Sequence, residues 1–180
     1  MSVSSRMPGR AILPETVDRL RSAAVLLVFL VASTAIVMAG TALAQEHYFG
    51  WYAEAAKAPW TVSPWVSGSV WTILHIGMSV AAWLVWRERA TARVSSALSL
   101  YGTQLLLNAL WRPALFSFYP ALGEMALYLG AAIMMLLGIT VAAALAEFRK
   151  VSRAAGLLVV PYLSWILYIL SLNIALIALN

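Results

Sequence analysis

No cysteine occurs among the 180 residues, so disulfides, thiolate nucleophiles and cysteine-bound metals are excluded. Charge is nearly as scarce. Asp, Glu, Lys and Arg make up 11% of the chain, against about 25% in a soluble domain. The two histidines, His47 and His75, stand alone and build no metal centre. No nucleophile–base pair or nucleotide loop is present, which argues against ordinary hydrolytic or transfer catalysis. Neither an inverted repeat nor a mid-membrane charge relay points to active transport.

What is present is apolar: 63% of the residues are hydrophobic. Five runs are long enough for a bilayer, which takes about 20 apolar residues. They lie near Ser22–Ala44, Pro64–Trp86, Val94–Arg112, Glu124–Ala146 and Ala154–Asn180. None shows the period-two polarity of a membrane β-barrel, so the fold class is all-α: a polytopic membrane bundle of five transmembrane helices. Residues 1–21 form a basic N-terminal extension, and 22–180 form one membrane domain. Ala42-Leu43-Ala44 before Gln45 has the look of a signal-peptide cleavage site. The run before it is longer than the 7–15 residues of a signal core, so it is expected to stay as the first span.

A net charge of +5 would suggest nucleic acid in a soluble protein. Here the basic residues sit at the ends of hydrophobic runs, and no nucleic-acid partner is expected. Arg6, Arg10, Arg19 and Arg21, then Arg87, Arg89 and Arg93, then Arg149, Lys150 and Arg153 fall on one side. Only Lys57 and Arg112 fall on the other. The positive-inside rule therefore predicts a cytoplasmic N-terminus, with the C-terminus opposite.

Four of the eight tryptophans, Trp51, Trp60, Trp65 and Trp71, crowd into the 21-residue stretch WYAEAAKAPWTVSPWVSGSVW between the first two spans. Indole is costly to display to water and suits a headgroup boundary or the face of a conjugated ligand. The stretch reads as part of a binding site or its lid. Other residues share helical faces: Trp71, His75 and Met78 on the second span, Gln104, Asn108 and Trp111 on the third, and Trp165, Tyr168 and Leu172 on the fifth. Each admits a plainer reading. His75 suits a hydrogen-bonded packing residue, and carboxamides in hydrocarbon commonly bond a neighbouring helix. Trp83 and Trp86 beside Arg87 suit interface anchors. Pro161 inside the fifth span suits a kink that widens a cavity. Ser95, Ser99 and Thr103 form a small-residue row suited to helix packing or to a homodimer face.

The ordered motifs WYAEAAKAPW, Trp65, VWTILHIGM, LVW, then Gln104, Leu105, Leu107, Asn108 and Trp111 with Pro113 and Phe116, then PYLSW and Leu172-Asn173, resemble the translocator protein family, the tryptophan-rich sensory proteins of bacteria. The similarity covers about residues 22–180. The chain departs from the family pattern at Ala58 after Lys57, at Val62-Ser63 in place of a proline pair, and at His75, Ser79 and Leu129. No Tyr followed by Lys or Arg occurs after Asn173, so the cholesterol-recognition pattern is absent. The resemblance implies a bacterial-type membrane homodimer that binds or senses flat hydrophobic ligands such as protoporphyrin or haem. It implies no required cofactor or metal, and a ligand site drawing on Trp51, Tyr52, Trp60, Trp71, His75, Asn108, Trp111, Trp165 and Leu172. Porphyrin carboxylates would seek Lys57 or loop N–H groups, with Trp71 and Trp165 on either side of the ring system. Two alternatives stay open: light-driven porphyrin breakdown with Trp71 and Trp165 as electron donors, and transport of tetrapyrroles, sterols or lipids.

Overall fold

The structure is a computed structural model that describes residues 12–180; Arg6 and Arg10 of the basic extension lie outside the described residues. Within them the chain forms helices and turns, with no strand. Five helices are long: α1 (Ile12–Phe49), α3 (Pro64–Arg87), α4 (Ser95–Arg112), α6 (Glu124–Val151) and α7 (Arg153–Leu179). Two are single turns, α2 (Trp51–Glu54) and α5 (Tyr119–Leu122), and a π-helical turn, Pro113–Ser117, joins α4 to α5.

Helix boundaries follow local chemistry. Ser63 caps α3 by accepting from the Val66 N–H, with Pro64 in the first turn, where its missing N–H costs nothing. Ser152 separates α6 from α7 with one extended residue and caps α7 through the Ala155 N–H. Gly123 turns the chain into α6 with φ of 56°, a region side chains disfavour. The π-turn is held by the Phe118 N–H donating to the Pro113 carbonyl five residues back, at 3.2 Å.

The helix α1 begins at Ile12, so Arg19 and Arg21 of the basic extension lie on the same unbroken helix as the first expected span. No proline or glycine interrupts residues 15–39, so nothing stops the helix. Its 38 residues reach about 57 Å at 1.5 Å each, well beyond a hydrocarbon core of about 30 Å. The five expected runs are not equivalent. Among the described residues four stretches, Thr16–Phe49, Pro64–Arg87, Glu124–Val151 and Arg153–Leu179, are long and apolar enough to cross a membrane. The helix α4 falls short, because serines, Thr103, Gln104 and Asn108 dilute its leucines.

Packing explains the carboxamide part of that polarity. The long helices close a ring in the order α1, α3, α7, α6, α4, and α4 touches α1, α3 and α6. Its Tyr101, Gln104, Leu105, Asn108 and Trp111 are buried. Large apolar side chains face outward all round the bundle, including Leu27 and Val31 on α1, Ile73 on α3, Ile139 on α6 and Leu167 on α7. Buried polar residues collect inside, among them Ser33, His75, Ser79, Gln104, Asn108 and Asn173. Apolar outside and polar within is the arrangement expected in lipid.

The ring is tight at one end and open at the other. Near the basic end, the Trp83 indole N–H donates to the Ser22 carbonyl at 2.9 Å, fastening α3 to α1. The guanidinium of Arg87 lies 4.9 Å over the Trp83 ring, and that of Arg89 lies 3.5 Å over Trp86. Further along, Ser79 and Tyr101 both donate to the Phe29 carbonyl, tying α3 and α4 to α1. Gly40 then lets α1 lie against α4, since a Cβ there would come within 3.3 Å of the Ala109 carbonyl oxygen. Beyond these contacts α1 and α3 part, and the gap becomes a cavity.

Candidate functional site

The cavity occupies about 420 Å³ between the C-terminal half of α1, the start of α3, the end of α4, the π-turn and the last turns of α7. This volume falls in the usual range for small-molecule sites, about 300–1,000 Å³. Its lining combines Tyr48, Tyr52, Trp71, Trp111 and Phe116 with aliphatic residues such as Val37, Leu115 and Leu172. The lining residues Gln45, Phe49, Pro64, Gly68 and Thr72 are exposed, which puts the opening between α1 and α3.

The Trp-rich loop roofs this space, and its indoles fasten the roof. The Trp51 N–H donates to the Phe116 carbonyl at 2.9 Å, and its ring stacks on Tyr119 with centroids 3.7 Å apart. The Trp60 N–H reaches Ser171 Oγ at 3.3 Å, while the Tyr168 hydroxyl donates to the Trp60 carbonyl at 2.9 Å. At the chain end, Asn180 accepts from the Ala56 N–H at 2.9 Å and donates to its carbonyl at 3.0 Å. The loop is thereby laid across α7, with Tyr52, Thr61, Val62 and Pro64 turned to the cavity. Burial, reinforced by Tyr48 and Tyr168 nearby and partly offset by Arg112, pushes the Tyr52 phenol up to about 12. It therefore offers a neutral O–H at ordinary pH.

Of the residues anticipated for the site, Tyr52, Trp71, Trp111 and Leu172 line the cavity. Trp51, Trp60, His75, Asn108 and Trp165 lie off its walls. Trp51 and Trp60 hold the loop, as described. The His75 Nδ1–H donates to the Trp71 carbonyl, 2.9 Å away, and its Nε2 is buried without a partner. Asn108 donates to the Tyr162 hydroxyl, which donates onward to Gln104 Oε1, both at 2.8 Å. The Trp71 and Trp165 rings meet edge to face, with centroids 6.4 Å apart and planes at 86°. They form a corner, not the two parallel faces of a slot.

Trp71 stands at the centre of this aromatic floor, 6.0 Å from Trp111 and 6.1 Å from Tyr162. Trp111 is steadied in turn by its N–H to Asn173 Oδ1 at 3.3 Å, and Asn173 bonds the Ile169 carbonyl. Lys57 points elsewhere. Its ammonium bonds the carbonyls of Ala53 and Ala55 and lies 4.9 Å from the centre of the Tyr52 ring, and it does not line the cavity. Sequence reasoning missed the charged residue that does: Arg112, read there only as a topology signal. The aromatic Tyr48 and Phe116 were also missed as lining, because neither falls on a helical face with the residues singled out.

A helical membrane protein with an aromatic cavity roofed by a tryptophan-fastened loop is the class these features define. Residues 24–179 match the TspO/MBR family, and the chain belongs to that family. Among relatives, it is 33% identical over 139 residues to the translocator protein of Ovis aries, covering 74% of this chain and 77% of that one. It is 35% identical over 127 residues to the human translocator protein, covering 68% and 70%. With the tryptophan-rich sensory protein of Cereibacter sphaeroides it shares 32% identity over 157 residues, covering 87% and 92%.

Proposed function

We propose that this chain binds flat, hydrophobic ligands of the tetrapyrrole class, protoporphyrin or haem, beneath its Trp-rich loop and acts as a membrane-embedded sensor of them. The observation that carries the reading is the half-open cavity of about 420 Å³ with Trp71, Trp111, Tyr48, Tyr52 and Phe116 on its walls. Aromatic faces and edges suit a large conjugated ring, and the few polar lining groups would fix its orientation. The opening between α1 and α3 suits entry of a ligand that partitions into lipid. The unpartnered Nε2 of His75 lies off the cavity wall.

In this proposal α4 also crosses the membrane, giving five spans. Its carboxamides Gln104 and Asn108 turn inward while Leu106 and Leu110 turn outward, so low hydropathy does not bar it from lipid. Five spans with the basic ends inside put the N-terminus in the cytoplasm of a bacterial-type cell, with the loop and C-terminus opposite. Ser95, Ser99 and Thr103 are exposed along α4, which supports pairing of two copies through that helix.

The test is titration of the solubilised protein with protoporphyrin and with haem, following tryptophan fluorescence and the Soret band. Saturable quenching with a Soret shift at one ligand per chain is expected. A linear, unsaturable response to both compounds would remove tetrapyrrole binding as the function.

A further inference from the structure

Arg112 ends α4 and is the one charged side chain among the described residues that line the cavity. Its surroundings do not account for it. The Nε atom is buried and has no hydrogen-bond partner. Among the described residues no carboxylate pairs with it. The rings of Tyr48 and Trp111 lie 5.9 Å from the guanidinium carbon, at the outer limit of a cation–π contact. Its place in the last turn of α4 brings some help from the helix dipole, an effect that is modest and local. Beside it stand Leu115, Phe116 and Trp111, all buried and apolar. A half-buried cation set against such walls without a counter-charge is unfavourable, and an anion beside it would relieve that cost.

We infer that Arg112 is the anchor for a carboxylate carried by the hydrophobic ligand, so that the site selects flat apolar molecules that are also acids. This rests on the tetrapyrrole reading for the body of the ligand and adds the requirement for an anionic group. Guanidinium presents a planar fork of donors that matches a carboxylate through two parallel hydrogen bonds, and burial strengthens them. The neutral Tyr52 phenol is on the same cavity wall and supplies a further O–H donor. Lys57, the other cation at this end, has its ammonium engaged by loop carbonyls.

The decisive comparison uses protoporphyrin IX and its dimethyl ester, which share a ring system and differ in their acid groups. Wild-type protein in zwitterionic nanodiscs is titrated with each by tryptophan quenching. The diacid is expected to bind at least about tenfold more tightly, the worth of one charge-assisted hydrogen bond. Arg112→Met should erase the preference so that both porphyrins bind alike, and Arg112→Lys should retain part of it. Equal affinities in wild type would overturn the role of Arg112 and leave tetrapyrrole binding standing. A preference that persists in Arg112→Met would likewise overturn it, by assigning the acid to another residue. Binding of neither porphyrin would overturn the ligand reading, and this inference with it. The wild-type comparison requires no variant to fold.

Discussion

The helices α1 and α4 touch along their length, yet they handle polarity in opposite ways. Strongly apolar α1 stands largely exposed: Leu27, Val28, Val31 and Met38 all point away from the bundle. By contrast α4 is too polar to pass as a span by hydropathy, and it buries Gln104, Asn108, Tyr101 and Trp111. In water the order would be reversed. In lipid, apolar surface is what the outside needs, and polar groups survive only where other helices supply their hydrogen bonds. Hydropathy therefore locates a largely exposed helix well and a helix with a polar inner face poorly.

The largest expected effect tests the inner half of this contrast. The Tyr162 hydroxyl lies between two carboxamides one turn apart on α4, accepting from Asn108 and donating to Gln104. Tyr162→Phe keeps the ring and strands both groups in a site with no access to water. A loss of about 1–3 kcal/mol in stability follows, the cost of leaving buried polar groups unpaired. Denaturant-induced unfolding in mixed micelles would measure it. A change below about 0.5 kcal/mol, the size seen for surface substitutions, would mean that α4 is not held from within.

That network also marks where the sequence stopped being legible. The apolar runs were readable because lipid imposes one demand on every outward residue. The carboxamides of Gln104 and Asn108 were visible on one face, but their roles stayed divided between helix contact and ligand contact. The partner that takes them up, Tyr162, is 54 positions from Asn108, and no local pattern announces it. The composition of the Trp-rich loop suggested part of a binding site or its lid. That Trp51 and Trp60 act as its fasteners depends on Phe116, Ser171 and Tyr168, which only the fold brings near. Arg112 was hidden for another reason. A cation at the end of a hydrophobic run has an ordinary explanation in topology, and only the absence of a partner in three dimensions sets it apart.

A middling effect is expected where the two helices supply the cavity with different walls. The helix α4 contributes Trp111, held by Asn173 and in contact with Trp71, while α1 contributes Val37, Thr41 and Ala44 before its terminal aromatics Tyr48 and Phe49. Trp111→Phe keeps an aromatic face but loses the indole's bonded edge and part of its area. Protoporphyrin affinity should fall several-fold to about tenfold, corresponding to roughly 0.5–1.5 kcal/mol for an aromatic contact. Val37→Ala should change affinity by less than about threefold, because one small aliphatic group at the rim is worth little over 0.6 kcal/mol there. The reverse ranking would place the ligand against the aliphatic stretch of α1 and away from Trp111.

The smallest effect lies on the outer face of α1. Leu27 is 60% exposed and Val31 is 58% exposed, on a stretch where α1 is fastened to α3 and α4 only through its opposite side. Trimming either to alanine moves no apolar area into water, since lipid chains fill the space the side chain leaves. The hydrophobic cost that makes buried truncations expensive is therefore missing. Stability should change by less than about 0.5 kcal/mol in Leu27→Ala and in Val31→Ala. The matched control is Leu105→Ala on α4, where the side chain is 5% exposed and loss of packing should cost roughly 2 kcal/mol or more. Unfolding of all three variants in the same micelles measures the difference directly. If Leu27→Ala costs as much as Leu105→Ala, the outer face of α1 is packed against protein. The division between a lipid-facing α1 and an enclosed α4 would then be wrong, and chemical cross-linking from that face would show whether a second copy covers it.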